Sequence, residues 1–292
     1  MTIRGTTRLL GVIGWPVAHT MSPAIQNAAI AAAGLDYVYV PLPVEPERLA
    51  DAMPGLGALG FAGVNATVPH KVAVLAHVHQ LAESAQLAGA ANTIVVGADG
   101  LLTGHNTDLP ALEERLAARC GERIGDLRGA VVGCGGAGRA AAVALAHAGA
   151  GEILLYNRTP GRAEALADQL DDFFPGSIFR PAPWGAFTEL ADCRAVLHTS
   201  TVGLADADES PFDAALLAPG TALIDAVYRP GGTALARAAL ARGLDAEDGR
   251  EMLIAQAALA FGIWTGRLAD RDAMRQAFHR ASAPNETKKE TP

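Results

Sequence analysis

The sequence predicts an α/β protein built of two units. Two observations carry this. Short apolar segments alternate with Ala-rich segments of helical period along most of the 292 residues, the pattern of mainly parallel sheets covered by helices. A strand, a glycine-rich turn and a helix then follow one another at Ala130-Val131-Val132, Gly133-Cys134-Gly135-Gly136-Ala137-Gly138 and Arg139 to Ala148. That element is expected to open a Rossmann-like unit. It begins near residue 133, so a sizeable first unit precedes it.

In that first unit, Arg8 to Ile13 reads as a strand stopped by Gly14-Trp15-Pro16. Ser22 reads as an N-cap and Pro23 as a first helical residue, giving a helix to about Ala33 that Gly34 closes. Tyr37 to Pro41 is a strand, Pro46 to Met53 a helix, and Phe61 to Asn65 a strand. Val68-Pro69-His70-Lys71 begins a helix at its proline, and Leu81 to Leu87 is helical. Thr93–Val96 and Leu101–Thr103 form a hairpin across Gly97-Ala98-Asp99-Gly100. Asp108-Leu109-Pro110 starts the helix leading into the second unit. There, Val131, Ile153 to Tyr156, Ala195 to His198 and Ala222 to Ile224 mark successive strands. The helix from Arg250 to Trp264 has no strand after it and is expected to pack back on the first unit. The expected division is residues 1–106 plus 249–280 for substrate, 107–248 for the nucleotide, and a flexible tail, 281–292.

The bulk properties narrow the class. The length suffices for two cores, and a chain 50% hydrophobic and 18% charged should be compact. A net charge of −8 speaks against a nucleic-acid or anionic-membrane surface. Cys120, Cys134 and Cys193 make neither a disulfide framework nor a zinc site, and no metal is expected. With no signal peptide or apolar span in view, a cytoplasmic protein is expected.

The chemistry-bearing residues have bland and functional readings. Gly133, Gly135, Gly136 and Ala137 form either a structural turn or a phosphate seat at a helix N-terminus. In NAD-preferring folds an acid ends the second strand. Here Asn157-Arg158-Thr159 ends it, with Arg162 one turn on. The two guanidiniums are solvated surface charges, or they hold a 2′-phosphate, which selects NADP. Lys71 ends a strand and enters a helix, where it faces the ligand crevice of an open α/β sheet, or is an ordinary surface lysine. A lysine there exchanges a proton with an oxygen undergoing redox change. Asp108 is an N-cap, or the carboxylate that orients Lys71. His105 reads as a hydrogen-bonded loop residue. Thr20, Ser22, Thr67 and Asn92 are caps and turn residues, or contacts to a polyhydroxylated carboxylate. Gln256, in an otherwise apolar helix, needs partners from the backbone or from a ligand.

Together these segments resemble the shikimate dehydrogenase family, from about residue 9 to residue 270. Thr20-Met21-Ser22-Pro23 is similar to the family's hydroxyl-spacer-Ser-Pro signature. Asn65-Ala66-Thr67-Val68-Pro69-His70-Lys71 resembles its Asn-x-Thr-x-Pro-x-Lys, which implies that Lys71 is the catalytic lysine. Gly89-Ala90-Ala91-Asn92-Thr93 implies Asn92 as a substrate ligand, and Asn106-Thr107-Asp108 implies Asp108 as the partner of Lys71. The glycine loop, Asn157-Arg158-Thr159 and Arg162 resemble the family's NADP-binding parts. Asp225-Ala226-Val227-Tyr228 and Gln256 resemble its late contacts, implying Tyr228 and Gln256 at the substrate and Ala226 and Gly249 at the cofactor. Six positions in four places depart from the pattern. His105 stands for an aspartate or tyrosine, Leu109 for a glycine, His198-Thr199-Ser200 for Asn-Ala-Thr, and Thr20 for a serine.

The resemblance implies an NADP-dependent oxidoreductase that reversibly reduces 3-dehydroshikimate to shikimate in chorismate and aromatic amino-acid biosynthesis, as a monomer or homodimer. A catabolic quinate/shikimate dehydrogenase using NAD or NADP is a second reading. A non-catalytic ligand-binding sensor on the same fold is a third, opposed by the presence of both Lys71 and Asp108. A methylene-tetrahydrofolate type of dehydrogenase is opposed by the Thr20/Ser22 pair.

Overall fold

A computed structural model describes residues 2–121, 125, 127–206 and 208–283. The first part of the chain runs β1 (Arg8–Gly14), α1 (Ser22–Ala32), β2 (Tyr37–Pro43), α2 (Leu49–Ala58), β3 (Phe61–Ala66), α3 (His70–Ala73), β4 (Gln80–Leu81), α4 (Glu83–Ala88), β5 (Thr93–Val96) and β6 (Leu102–His105). Its sheet has the order β2-β1-β3-β5-β6-β4. β1 lies parallel between β2 and β3, while β5 runs antiparallel to β3 and forms the expected hairpin with β6. Central β1 buries Leu10, Val12 and Ile13, as a strand covered on both faces must.

Helix α5 (Asp108–Cys120) leads to β7 (Arg128–Val132), α6 (Gly136–His147), β8 (Glu152–Asn157), α7 (Pro160–Asp171), β9 (Ile178–Pro183), β10 (Cys193–His198), β11 (Ala222–Asp225), α8 (Ala234–Ala241) and β12 (Asp245–Glu247). These strands form a second, wholly parallel sheet in the order β12-β11-β10-β7-β8-β9. Then α9 (Arg250–Thr265) and α10 (Arg271–Ser282) close the described chain. Helix α9 lies on the first sheet. Trp264 donates its indole N–H to the Ile94 carbonyl at 3.0 Å, and Gln26 of α1 donates to the Ala257 carbonyl at 3.0 Å. Gly63 of β3 has no room for a Cβ, because the Trp264 indole fills that space. Among the described residues no helix is long and apolar enough to cross a membrane.

Several local expectations are corrected. Ser22 is the first residue of α1 and not its cap, which falls on Met21 without a side-chain bond. Pro46 opens a short 3-10 turn, and α2 then continues to Ala58 with Pro54 inside it. The helix after Val68 begins at His70, with Pro69 at the cap position. Leu81 belongs to β4, and α4 starts at Glu83 and ends on the left-handed Gly89. The hairpin's second strand reaches His105, so that residue is in a strand and not in a loop. Strand β9 escaped notice because Pro181 and Pro183 mask it; prolines are tolerated there because it is an edge strand. The expected tail divides: α10 includes residues 281–282, whereas 284–292 lie outside the described residues.

Ion pairs anchor α5, the bridge between the sheets. Arg115 holds Glu247 of β12 through two bonds, at 2.9 and 2.8 Å, and Arg271 of α10 holds Glu114 at 2.7 and 2.9 Å. The Arg271 bonds keep the Glu114 carboxyl below its ordinary 4.5. A depressed carboxylate stabilises the fold above its unfolded pKa, and that contribution is lost as pH falls through the folded value. Glu114→Gln is therefore expected to cost no more than about 1 kcal/mol at neutral pH, the pair being partly solvated. The difference between variant and wild type should close on acidification in urea titrations. A gap independent of pH would mean that packing, not charge, holds α10.

Candidate active site

The carboxyl ends of both sheets open onto one cleft of about 500 Å³. Lys71 enters it from α3, directly after β3. Asp108 enters from the first turn of α5, directly after β6. Lys71 Nζ donates to Asp108 Oδ2 at 2.6 Å, and the pair is nearly buried, with side-chain exposures of 17% and 3%. Asn92 Nδ2 donates to the other oxygen of Asp108 at 2.9 Å. The amide of Asn92 is itself fixed, because its Oδ1 accepts the Thr107 N–H at 2.8 Å and the Thr93 and Thr107 hydroxyls at 3.1 Å each. Asp108 is thus no N-cap. The capping bond comes from Asn106, whose Oδ1 accepts the Leu109 N–H at 2.9 Å. A lysine whose ammonium is oriented by a buried carboxylate at a ligand cleft is placed for directed proton transfer.

A hydroxyl cluster lies at one end of the cleft. The Thr20 hydroxyl donates to Ser22 Oγ at 3.1 Å and accepts the Ser22 N–H at 3.2 Å. The Tyr228 phenol comes to the Thr20 hydroxyl and the Met21 backbone; burial pushes its pKa above the ordinary value, so it remains a neutral donor. The Tyr39 phenol bonds Asn65 Oδ1 at 2.6 Å and approaches Ser22, and burial likewise pushes its pKa up. Ser22 caps nothing, and its hydroxyl, joined to Thr20, lines the cleft. Thr67 lines the same cleft, as does Gln256, which is half-buried and donates back to the Leu253 carbonyl at 2.9 Å. His105 stays outside the cleft lining, and burial holds its imidazole below the ordinary pKa.

The glycine loop faces this constellation. Gly133 has φ +112°, a conformation that L side chains rarely adopt. A Cβ on Gly138 would overlap the Gly133 carbonyl, so the start of α6 packs directly against the end of β7. Gly135 caps α6 with no side-chain bond, and the helix has no acid in its first turn, which leaves its N-terminal N–H groups for an anion. Asn157 shapes the loop by accepting the Cys134 N–H at 3.0 Å. Burial pushes the Cys134 thiol up to about 12, which leaves it inert. A Cβ on Gly136 would stand 2.6 Å from Lys71 Cβ. Gly136 therefore seats the stem of Lys71 as well as opening the loop.

Of the expected residues, Thr20, Ser22, Thr67, Lys71, Asn92, Asp108, Tyr228, Gln256, Ala137, Ala226 and Gly249 all line the cleft. Gly249 is confined to glycine by the Ala226 carbonyl, which occupies the position of a Cβ. Gly133, Gly135, Gly136, Asn157, Arg158, Thr159 and Arg162 do not line it. They extend along the loop to the end of β8, one strand over from β7. Arg158 and Arg162 are exposed there and form no ion pair among the described residues. The loop N–H groups, the two free guanidiniums and the absence of an acid at the β8 end fit a phosphorylated dinucleotide. Thr199 and Ser200, singled out in the sequence as departures from the family's Asn-Ala-Thr, line the cleft too, whereas sequence reading missed Trp15, His19 and Met252 as cleft walls. Among those missed, only His19, beside Thr20, carried a sequence signal.

Comparison with known proteins agrees with this geometry. A family model described as "Shikimate dehydrogenase substrate binding domain" matches residues 12–94, and one described as "Shikimate 5'-dehydrogenase C-terminal domain" matches residues 249–277. A shikimate dehydrogenase (NADP(+)) of Rubrobacter xylanophilus is 46% identical over 94% of this chain and 97% of its own length. The shikimate 5-dehydrogenase of Thermus thermophilus, solved with NADP(H) and shikimate, superposes with a TM-score of 0.83 at 38% identity, covering 94% of this chain and all of that one. A quinate dehydrogenase of Corynebacterium glutamicum, solved with NAD, reaches a TM-score of 0.83 at 31% identity, covering 94% and 99%. The chain belongs to the shikimate dehydrogenase family.

Proposed function

We propose that the protein is an NADP-dependent shikimate dehydrogenase that interconverts 3-dehydroshikimate and shikimate in chorismate biosynthesis. The carrying observation is the Lys71–Asp108 pair, joined at 2.6 Å in a cleft that the glycine loop also borders. Bound NADPH supplies the hydride for the C3 carbonyl. Lys71 gives its ammonium proton to the developing alkoxide, and takes the hydroxyl proton in the reverse direction. Asp108, clamped by Asn92, orients Lys71. Thr20, Ser22 and Tyr228 offer hydroxyls to the substrate carboxylate; Thr67, Asn92 and Gln256 offer partners to the ring hydroxyls. In this reading residues 1–106 plus 249–280 hold substrate and residues 107–248 hold the nucleotide, which agrees with α9 lying on the first sheet. The protein works in the cytoplasm as a monomer or homodimer. Its net charge of −8 supports the expectation of no nucleic-acid or membrane partner.

Mixing the protein with shikimate and NADP⁺ tests the reading. NADPH and 3-dehydroshikimate should form one for one. Shikimate binding without any NADPH formed would leave a ligand-binding sensor. The cofactor preference has its own test. Arg158→Ala should lower kcat/KM for NADP about tenfold, the worth of a charged hydrogen bond, with little effect on NAD. Equal losses with both cofactors would refute the role given to Arg158.

A further inference from the structure

His198 ends β10 fully buried. Its Nδ1 lies 2.8 Å from Asp225 Oδ1 at the end of β11, and its Nε2 lies 2.6 Å from Ser200 Oγ. Asp225 is already engaged: Oδ1 accepts the Val227 N–H at 3.0 Å and Oδ2 accepts the Thr233 hydroxyl at 2.6 Å. A carboxylate only accepts, so His198 Nδ1 is the donor toward it. In the neutral ring Nε2 is then an acceptor. The Ser200 O–H consequently points to Nε2. Of the two lone pairs on Ser200 Oγ, one takes the Val202 N–H at 3.2 Å and the other is left for the cleft, whose wall Ser200 forms. The backbone of Ser200 is pinned as well, since its N lies 2.5 Å from where a Cβ of Gly133 would stand. This serine therefore meets a ligand as a hydrogen-bond acceptor.

The ligand group that needs such an acceptor follows from the proposed reaction, on which this inference rests. A hydride can reach a ring carbon beside Lys71 only if the reactive end of the cofactor lies in the cleft, against the ends of β7, β10 and β11. The carboxamide is the N–H donor of that ring. We infer that Ser200 accepts the carboxamide N–H of the nicotinamide, and that His198 and Asp225 are positioning residues that hold Ser200 in its acceptor state.

Equilibrium titration of the full-length protein tests this without turnover. The probes are NADPH and adenosine 2′,5′-bisphosphate, which keeps the phosphorylated ribose but lacks the nicotinamide. Ser200→Ala should raise the Kd for NADPH about tenfold, the scale of one lost buried hydrogen bond, and leave that for the bisphosphate unchanged. Ser200→Thr, which restores the hydroxyl, should recover most of the loss. His198→Asn should weaken NADPH alone, and the double variant S200A/H198N should bind no more weakly than S200A, because His198 acts only through Ser200. Unchanged NADPH binding in S200A, equal weakening of both probes, or additive losses in the double variant would overturn the inference. If H198N does not fold, the S200A and S200T pair still decides it. A wild-type protein that binds neither probe would instead refute the dehydrogenase reading itself.

Discussion

Lys71→Ala is expected to lower kcat by about 100- to 10,000-fold, the range for removing a positioned general acid–base, while the KM for shikimate changes far less. The reason is geometric. Lys71 Nζ is the cationic partner of Asp108 in the cleft, and its orientation is set by a carboxylate that Asn92 fixes from the other side. Without the ammonium, the alkoxide formed by hydride transfer has only water as a proton source. Asp108 keeps its Asn92 bond in the variant, so the site should remain assembled and shikimate should still bind. Steady-state kinetics in both directions, with a shikimate titration of the variant, separates the two parameters. A variant that retains near-full turnover would contradict the role of Lys71. One that loses binding and turnover in equal proportion would make Lys71 a substrate anchor.

Gly138→Ala should be the second severe change. Its methyl would be driven into the Gly133 carbonyl, a backbone atom that moves only if α6 separates from the end of β7. The loop would then no longer aim its N–H groups at one point. Overpacking of this kind costs about 1–3 kcal/mol of stability. The functional loss should be selective: NADP binding falls sharply, while shikimate binding, which the proposed function assigns mainly to residues of the first sheet and α9, persists. Thermal unfolding combined with separate titrations of the two ligands checks this. Equal affinity for NADP in variant and wild type would show that the loop tolerates the displacement.

The sequence made the chemistry legible wherever function sat in a short motif. Lys71 and Asp108 sit in the first turns of helices that follow β3 and β6, Asn92 directly precedes β5, and the glycine loop follows β7; the periodicity located those strands. Side-chain roles were less legible, because they depend on tertiary partners. Ser22 and Asp108 both read as N-caps by residue type, yet Met21 and Asn106 took the cap position and the capping bond and left both side chains facing the cleft. Gly136 read as a phosphate-loop glycine, and its contact with the Lys71 stem needed the approach of two separate units. The His198–Asp225–Ser200 chain was visible only as a departure from the family's Asn-Ala-Thr, since β10 and β11 must first lie side by side. Edge strand β9 was hidden by its prolines, and three-residue β12 was too short for any period to show.

The cleft that holds Lys71 and Asp108 should oxidise shikimate with NADP⁺. Initial rates of oxidation for shikimate and quinate, each with NADP⁺ and with NAD⁺, test it most directly. The highest kcat/KM is expected for shikimate with NADP⁺, with a loss on changing either component. Quinate with NAD⁺ as the best pair, or no turnover in any of the four combinations, would contradict it.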